Sequence, residues 1–388
     1  RFFSSSVAVV VNGNILFPQG DIQRISSTQI VVTIQQGVAP GVYNLQVYNA
    51  DGVGSNMLPI TISAASGQNT CSSVSRHGIT WRFDLPVECG QFVNGDWWIV
   101  GPVTVASISP AQAPGRHGSW LNPLSTFASS QPFDDRIELS AYDASLRPTF
   151  PLVVNQPASL LSTGSHTTPS DCPGTPNAWR VTDAAVQDTC NRGHLRTAAV
   201  LTILSQAPPP DSFRPTYFGT DKTVLYNKNQ VDYSRLGQLA PTPLTPPLAE
   251  VERAFERVNI QTLHWRTEGV QPSDNAAGYG RDFAAEVSIA ALSLNLNYPV
   301  QQKEKLAIRL IQLGIDLNGA LEYGIEWNPN GGHGNGRFFP ILLAGVMLND
   351  ARLLSVNTYH PRFFSEKGQT FIVADYLPNT SPTVFPMC

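Results

Sequence analysis

The chain has 388 residues, enough for two or three domains, and only 14% of them are charged, against roughly 25% in an average soluble domain. Its 25 basic and 29 acidic residues leave a net charge of −4 with no basic run, which argues against a nucleic-acid partner. No apolar run approaches the roughly 18 residues of a spanning helix, so the chain is not expected to cross a membrane.

Residues 1–63 read as β-structure. Val7, Val9 and Val11 alternate along one strand, and Ile30, Val32 and Ile34 along another; Tyr43, Leu45 and Val47 make a third and Leu58–Ile62 a last one. Asn12-Gly13, Pro18-Gln-Gly20, Pro40-Gly41 and Asn49-Ala-Asp-Gly52 supply turns. The chain opens in mid-strand, as expected of a trimmed piece of a longer secreted precursor. A small polar linker, 64–70, leads to a second β-rich region, 71–205, read as a sandwich with long loops; Ile79–Phe83, Trp97–Val100, Val103–Ile108 and Ala198–Leu204 are its clearest strands. Cys71 and Cys89 are 18 residues apart, as are Cys172 and Cys190. Neither spacing suits zinc, and two local disulfides are the simplest reading. Residues 206–247 carry Pro208-Pro-Pro210, Pro215, Pro241, Pro243 and Pro246-Pro247, the mark of an extended connector.

After Pro247 the period turns helical, and 248–388 reads as a helical domain. Leu248/Val251/Phe255/Val258, Phe283/Val287/Ala290/Leu294, Leu306/Leu310/Leu313/Leu317 and Phe339/Leu342/Val346 mark four helices, the third reaching toward Trp327. Between the last two lies Asn328-Pro-Asn-Gly-Gly-His-Gly-Asn-Gly-Arg337. Two helices need only a short joint. This one is longer and carries an imidazole (His333), a carboxamide (Asn335) and a guanidinium (Arg337); the plainer reading is an elaborate helix cap. Tyr279-Gly-Arg-Asp282 precedes the second helix. Asp282 is placed to cap it, and Glu286 lies one turn on. Trp265, in His264-Trp-Arg266, and the loop Arg116-His117-Gly-Ser-Trp120 are candidate sugar contacts, although each Trp also suits a core. Glu322 and Glu326 are candidate acids beside the glycine loop.

Val38–Asn56, with its Pro-Gly turn and Tyr-x-Leu-x-Val-x-Asn hairpin, resembles the end of an IPT/TIG domain, an immunoglobulin-like sandwich of extracellular proteins. The family's first strand is missing here, which implies an open edge. The segment from about 79 to 355 is similar to a group of large bacterial secreted proteins. They share Ile79–Phe83, Phe92–Val103, Tyr279–Asp282 and Gly331–Arg337, in that order. Its helical half resembles the α/α-toroid of polysaccharide lyases, with fewer helices. The fold expected is therefore multidomain β plus α: an Ig-like sandwich, a second β-rich domain and a partial toroid.

Two functions follow. The first is a secreted, carbohydrate-active protein, a lyase on uronic-acid polymers. There His333 would be the base, Tyr279 the acid, and Arg281, Arg337 and Asn335 the carboxylate neutralisers. Trp265, Glu286, Asp282, His117 and Trp120 would bind substrate, and hydrolysis by the Asp282/Glu286 pair is the variant. The second is a structural subunit of an extracellular fibre, appendage or surface layer, joined to neighbouring copies through the open edge. No nucleotide or redox cofactor is implied; a structural Ca²⁺ would carry no motif.

Overall fold

The computed structural model describes residues 7–11, 15–16, 22–24, 30–32, 41–49, 53–62, 69–124, 130–137, 139–167, 195–263, 270–276, 280–327, 332–359 and 364. Packing divides the chain into two units, 1–69 and 70–388.

In the first unit, β1 (Val7–Val11) lies between β2 (Ile15–Leu16) and β5 (Gly41–Asn49), and β6 (Leu58–Ile62) pairs with the far side of β5, all antiparallel. β3 (Ile22–Arg24) and β4 (Ile30–Val32) form a separate ladder. The alternating apolar residues fall in β1, β4, β5 and β6, except Ile34, which lies outside the described residues. β6 is an edge of its sheet. It carries Pro59, which an edge strand tolerates, and Leu58, 62% exposed.

The second unit is built on one eight-stranded sheet. Its strands are β7 (Thr70–Arg76), β8 (Ile79–Gln91), β9 (Trp97–Val100), β10 (Val103–Ser109), β11 (Ser119–Leu121), β12 (Leu152–Val154), β13 (Ala158–Ser165) and β14 (Leu195–Leu204). Their order is β11-β13-β14-β9-β8-β10-β12, with β7 also on β8. β8 is 13 residues long and serves two neighbourhoods: its first half pairs with β7 and β10, its end with β9. The sheet curls so that strands that are not neighbours in it face each other. The Trp81 indole on β8 donates to Ser162 Oγ on β13 (3.1 Å), although two strands separate them in the ladder. Ile79, Trp81, Phe83 and Val105 from one side share a core with Leu160, Leu201 and Ile203 from the other. A disulfide between Cys71 and Cys89 ties β7 to β8. Cys172 and Cys190 lie outside the described residues.

The helices are α1 (Leu248–Ala254), α2 (Gly280–Leu294), α3 (Val300–Glu322), α4 (Phe338–Leu348), α5 (Ala351–Leu354) and α6 (Val356–Tyr359). Pro247 and Pro299 stand just before α1 and α3, where a missing N–H costs nothing. α3 is buried on every face from Leu310 to Leu321, which makes it the axis of the unit. It stops at Glu322, short of the expected Trp327, because the chain turns through Gly324 at φ 87°.

Two expectations change. The sheet and the helices are one unit: a single core joins Trp120, Leu161 and Val200 to Val287, Leu310, Leu317 and Met347. And 206–247 is not a spacer. Its prolines exclude long elements, leaving short 3₁₀ turns at Lys228–Gln230 and Tyr233–Arg235, but Phe213, Arg214, Tyr217 and Phe218 are buried. The β plus α class stands.

Candidate functional site

The two glycine motifs meet, backbone to backbone. A Cβ on Gly280 would lie 2.0 Å from the His333 carbonyl oxygen, and one on Gly336, at φ 89°, would lie 2.7 Å from Ala284 Cα. Only glycine permits that approach. The expected roles fare differently. Arg337 does not face a cleft: it is 1% exposed, its guanidinium lies 4.6 Å over the Phe283 ring, and Nη1 donates to the carbonyls of His333 (3.1 Å) and Asn335. A cation at the start of α4 opposes the helix dipole; loop carbonyls and an aromatic face offset that here, so the residue closes the loop. His333 and Asn335 are half-buried beside it. Arg281 is exposed and pairs with buried Asp282 at 3.0 Å, and Glu286 is buried one turn further on. Tyr279 and Trp265 lie outside the described residues.

Of the expected contacts on the β side, Trp120 belongs to the interior and His117 is half-buried. Trp120 is packed in the core against Phe133, so it is not a sugar platform. His117, at φ 51°, is stitched to β13: its Nδ1 accepts from the Ser165 N–H and its own N–H donates to Ser165 Oγ, both at 3.0 Å. Burial holds its pKa below the usual value, with Arg116 among the charges adding to that. Asp134 is fully buried and takes a bidentate pair from Arg136 at 2.9 and 2.8 Å.

A cleft of about 300 Å³ opens elsewhere, over α3. Ile315, Asn318, Gly319 and Glu322 give it one helix face at i, i+3, i+4 and i+7. The opposite wall is the 213–226 segment, with Thr216, Asp221, Thr223 and Tyr226, and α5 adds Arg352. The segment can cross α3 only because of two glycines: a Cβ on Gly319 would meet Thr216 at 2.1 Å, and one on Gly219 would meet the Tyr323 ring at 1.8 Å. The Lys222 ammonium fixes the crossing by donating to the carbonyls of Thr216, Phe218 and Gly219 at 3.0, 3.0 and 2.7 Å. Burial, helped by the Arg214 charge, pulls its pKa down to about 7.

Arg214 forms the floor. It is 1% exposed. Nε donates to Asp96 at 2.7 Å and Nη2 to Asp316 at 2.5 Å, while Gln312 exchanges two hydrogen bonds with its backbone. The two carboxylates differ. Burial pushes Asp96 up, but Arg214 and Arg76, the latter at 3.4 Å, outweigh it and hold the group below the usual range. Burial pushes Asp316 up to about 6, only partly offset by Arg214; its Oδ1 has no hydrogen-bond partner among the described residues. Asp316 and Arg214 also line a second, smaller space of about 30 Å³ with Asn94 and Gln312, room for a water.

At the rim, Arg352 pairs with Glu322 at 3.2 Å and donates to the Tyr226 hydroxyl at 3.1 Å; Tyr226 in turn donates to Asp350 at 2.8 Å. Burial pushes the Tyr226 phenol up to about 12. Asn318 donates to Glu322 at 2.9 Å.

The sequence points to Glu322 but not to Arg214 or Asp316. One signal was present: Asp316 is a lone acid in Leu310–Leu321, a run too apolar to offer it a solvent face. Asp96 reads as part of an Asn-Gly turn, which it also is. Among the described residues no group of three or more His, Cys, Asp or Glu side chains is placed to hold a metal ion.

Comparison with protein-family models, curated proteins and solved structures finds no match to this chain.

Proposed function

We propose that this is a secreted, carbohydrate-active protein and that the cleft over α3 is its saccharide site. The observation that carries the reading is the lining: two phenol-bearing rings, Tyr226 and Tyr323, stand among hydroxyl, amide and carboxylate groups of Thr216, Thr223, Asn318, Asp221 and Glu322 in one concavity. Aromatic faces and convergent polar groups in a mainly preformed pocket are what a polyhydroxylated ring requires. The Cys71–Cys89 disulfide agrees with export. Within this class we favour hydrolysis over β-elimination. The cleft supplies two carboxylates, Asp221 and Glu322, whereas Arg337, the expected neutraliser, is spent on its own loop. An Ig-like first unit and a toroid-derived set of helices are the finer structural form of the proposal.

The test is a soluble-glycan binding screen followed by calorimetry, with product analysis for new reducing ends and for unsaturated sugars. Glu322→Gln should weaken binding by about tenfold or more while leaving the melting curve in place, and Tyr323→Ala, whose ring also packs against Gly219 and the core, should weaken binding by at least as much at a temperature where the variant is still folded. Unchanged affinity in both variants would remove the cleft from the reading. The structural-subunit reading keeps one specific support, the exposed β6 edge. Leu58→Lys should then abolish any concentration-dependent association seen by sedimentation.

A further inference from the structure

The charges of the cleft name a class of ligand, an inference that rests on the saccharide reading. Its lining holds two guanidiniums and two carboxylates. Both cations are committed. Arg214 has two buried carboxylates, Asp96 and Asp316; it also donates to the Pro215 carbonyl at 3.0 Å and lies 5.8 Å from the centre of the Tyr217 ring. Arg352 pairs with Glu322, and through Tyr226 it faces Asp350. Asp221 is different. Its Oδ1 accepts the backbone N–H and the hydroxyl of Thr223 at 2.9 and 2.7 Å, and Oδ2 receives no hydrogen bond from the described residues. Lys222 stands next to it in the chain but sends its ammonium into the three carbonyls beneath the Thr216–Gly219 turn. One wall therefore presents a carboxylate that accepts no hydrogen bond from a cation among the described residues, Lys222 and Arg352 acting on it only through their charge, and the other presents Glu322, whose Oε1 is shared between Arg352 and Asn318.

A uronate or sulfated sugar would have to seat its anion beside Asp221 without a free guanidinium to receive it. A sugar bearing an ammonium meets the opposite case: a charged donor for the open Asp221 oxygen and a second acceptor across the cleft. We propose that the cleft binds an amino sugar, its ammonium held by Asp221 and Glu322 and its ring lying against Tyr323. The uronic-acid preference expected from the helical half's resemblance is thereby replaced by a basic one.

The experiment is calorimetry on the full chain with three probes of equal length: a glucosamine trimer, its N-acetylated counterpart and trigalacturonate. The glucosamine trimer should bind about fivefold more tightly than the acetylated one at low salt, with the uronate weakest, and added salt should shrink the difference. Asp221→Asn, an exposed change, should erase the preference, bringing the affinities of the glucosamine trimer and its acetylated counterpart together. Equal affinity for the first two probes, a uronate that binds best, or a preference that survives Asp221→Asn overturns the inference while the saccharide site stands. Failure of all three probes to bind overturns the inference together with its premise.

Discussion

Replacing Arg214 with Met is the sharpest test of how this protein holds its cleft. The change keeps most of the side-chain volume and removes one charge from between two buried carboxylates. Breaking a buried pair by deleting one partner typically costs about 3–5 kcal/mol, because the surviving charge is left uncompensated. Here two survive, although Asp96 keeps Arg76 at 3.4 Å. The pH dependence separates this account from lost packing. Asp316 titrates at about 6 in the native state against 3.8 ordinarily. Its contribution is therefore fully favourable below 3.8 and is lost as pH rises through about 6, a cost of about 3 kcal/mol at pH 7. Without Arg214 its pKa rises further and the group stays protonated at neutral pH. The penalty of the substitution should then shrink by up to about 1.4 kcal/mol on going from pH 7 to pH 5, where Asp316 is already mostly protonated in the parent. Urea unfolding followed by tryptophan fluorescence reads this directly, since all seven tryptophans lie beyond residue 69 and report on the second unit alone. A loss below about 1 kcal/mol at pH 7, the scale of a surface pair, would refute the reasoning, as would an equal loss at the two pH values.

Three further outcomes are expected. Gly280→Ala usually favours a helix, but here the new Cβ meets the His333 carbonyl at 2.0 Å, so the variant should lose about 1–3 kcal/mol in thermal unfolding. His77, whose pKa burial and then Arg76 and Arg257 depress to about 4, contributes stability that is present above 6.5 and lost as pH falls toward 4. His77→Asn, which tolerates the left-handed backbone at φ 49°, should flatten the stability profile by up to about 3 kcal/mol across that window. Cys71→Ser/Cys89→Ser should cost about 3 kcal/mol, and mass spectrometry of a non-reduced digest should show the parent's linked peptide.

What the sequence conveyed follows the range of the interactions involved. Alternation and the 3.6 period are local, and they located β1, β5, β10, α2 and α3 because each buries a face that its own residues define. The glycines of Gly280 and Gly332–Gly336 were legible as special but not as partners, since the reason for each is the backbone of the other, some fifty residues away. Arg337 read as a ligand because a cation at a helix start opposes the dipole; two carbonyls of its own loop, whose direction the sequence does not give, and the distant Phe283 ring offset that. Trp120 and His117 misled in the same way, since polar or aromatic residues in a glycine-rich loop look exposed until the sheet curls over them.

The cleft was illegible for a more specific reason. Proline density in 206–247 announces irregular backbone, and irregular backbone is ordinarily solvent-exposed. Over 212–219 it is mostly buried instead, because Arg214, Gln312 and Lys222 absorb polar groups that such a segment would otherwise leave unpaired. The same three side chains bring 213–226 down onto α3, and Gly319 and Gly219 let it sit close enough to shape a concavity. The buried charge that looks costly at Asp316 is thus part of the device that makes the cleft: an arginine able to anchor the segment needs a carboxylate on the helix, and Asp316 supplies it from the buried face of α3.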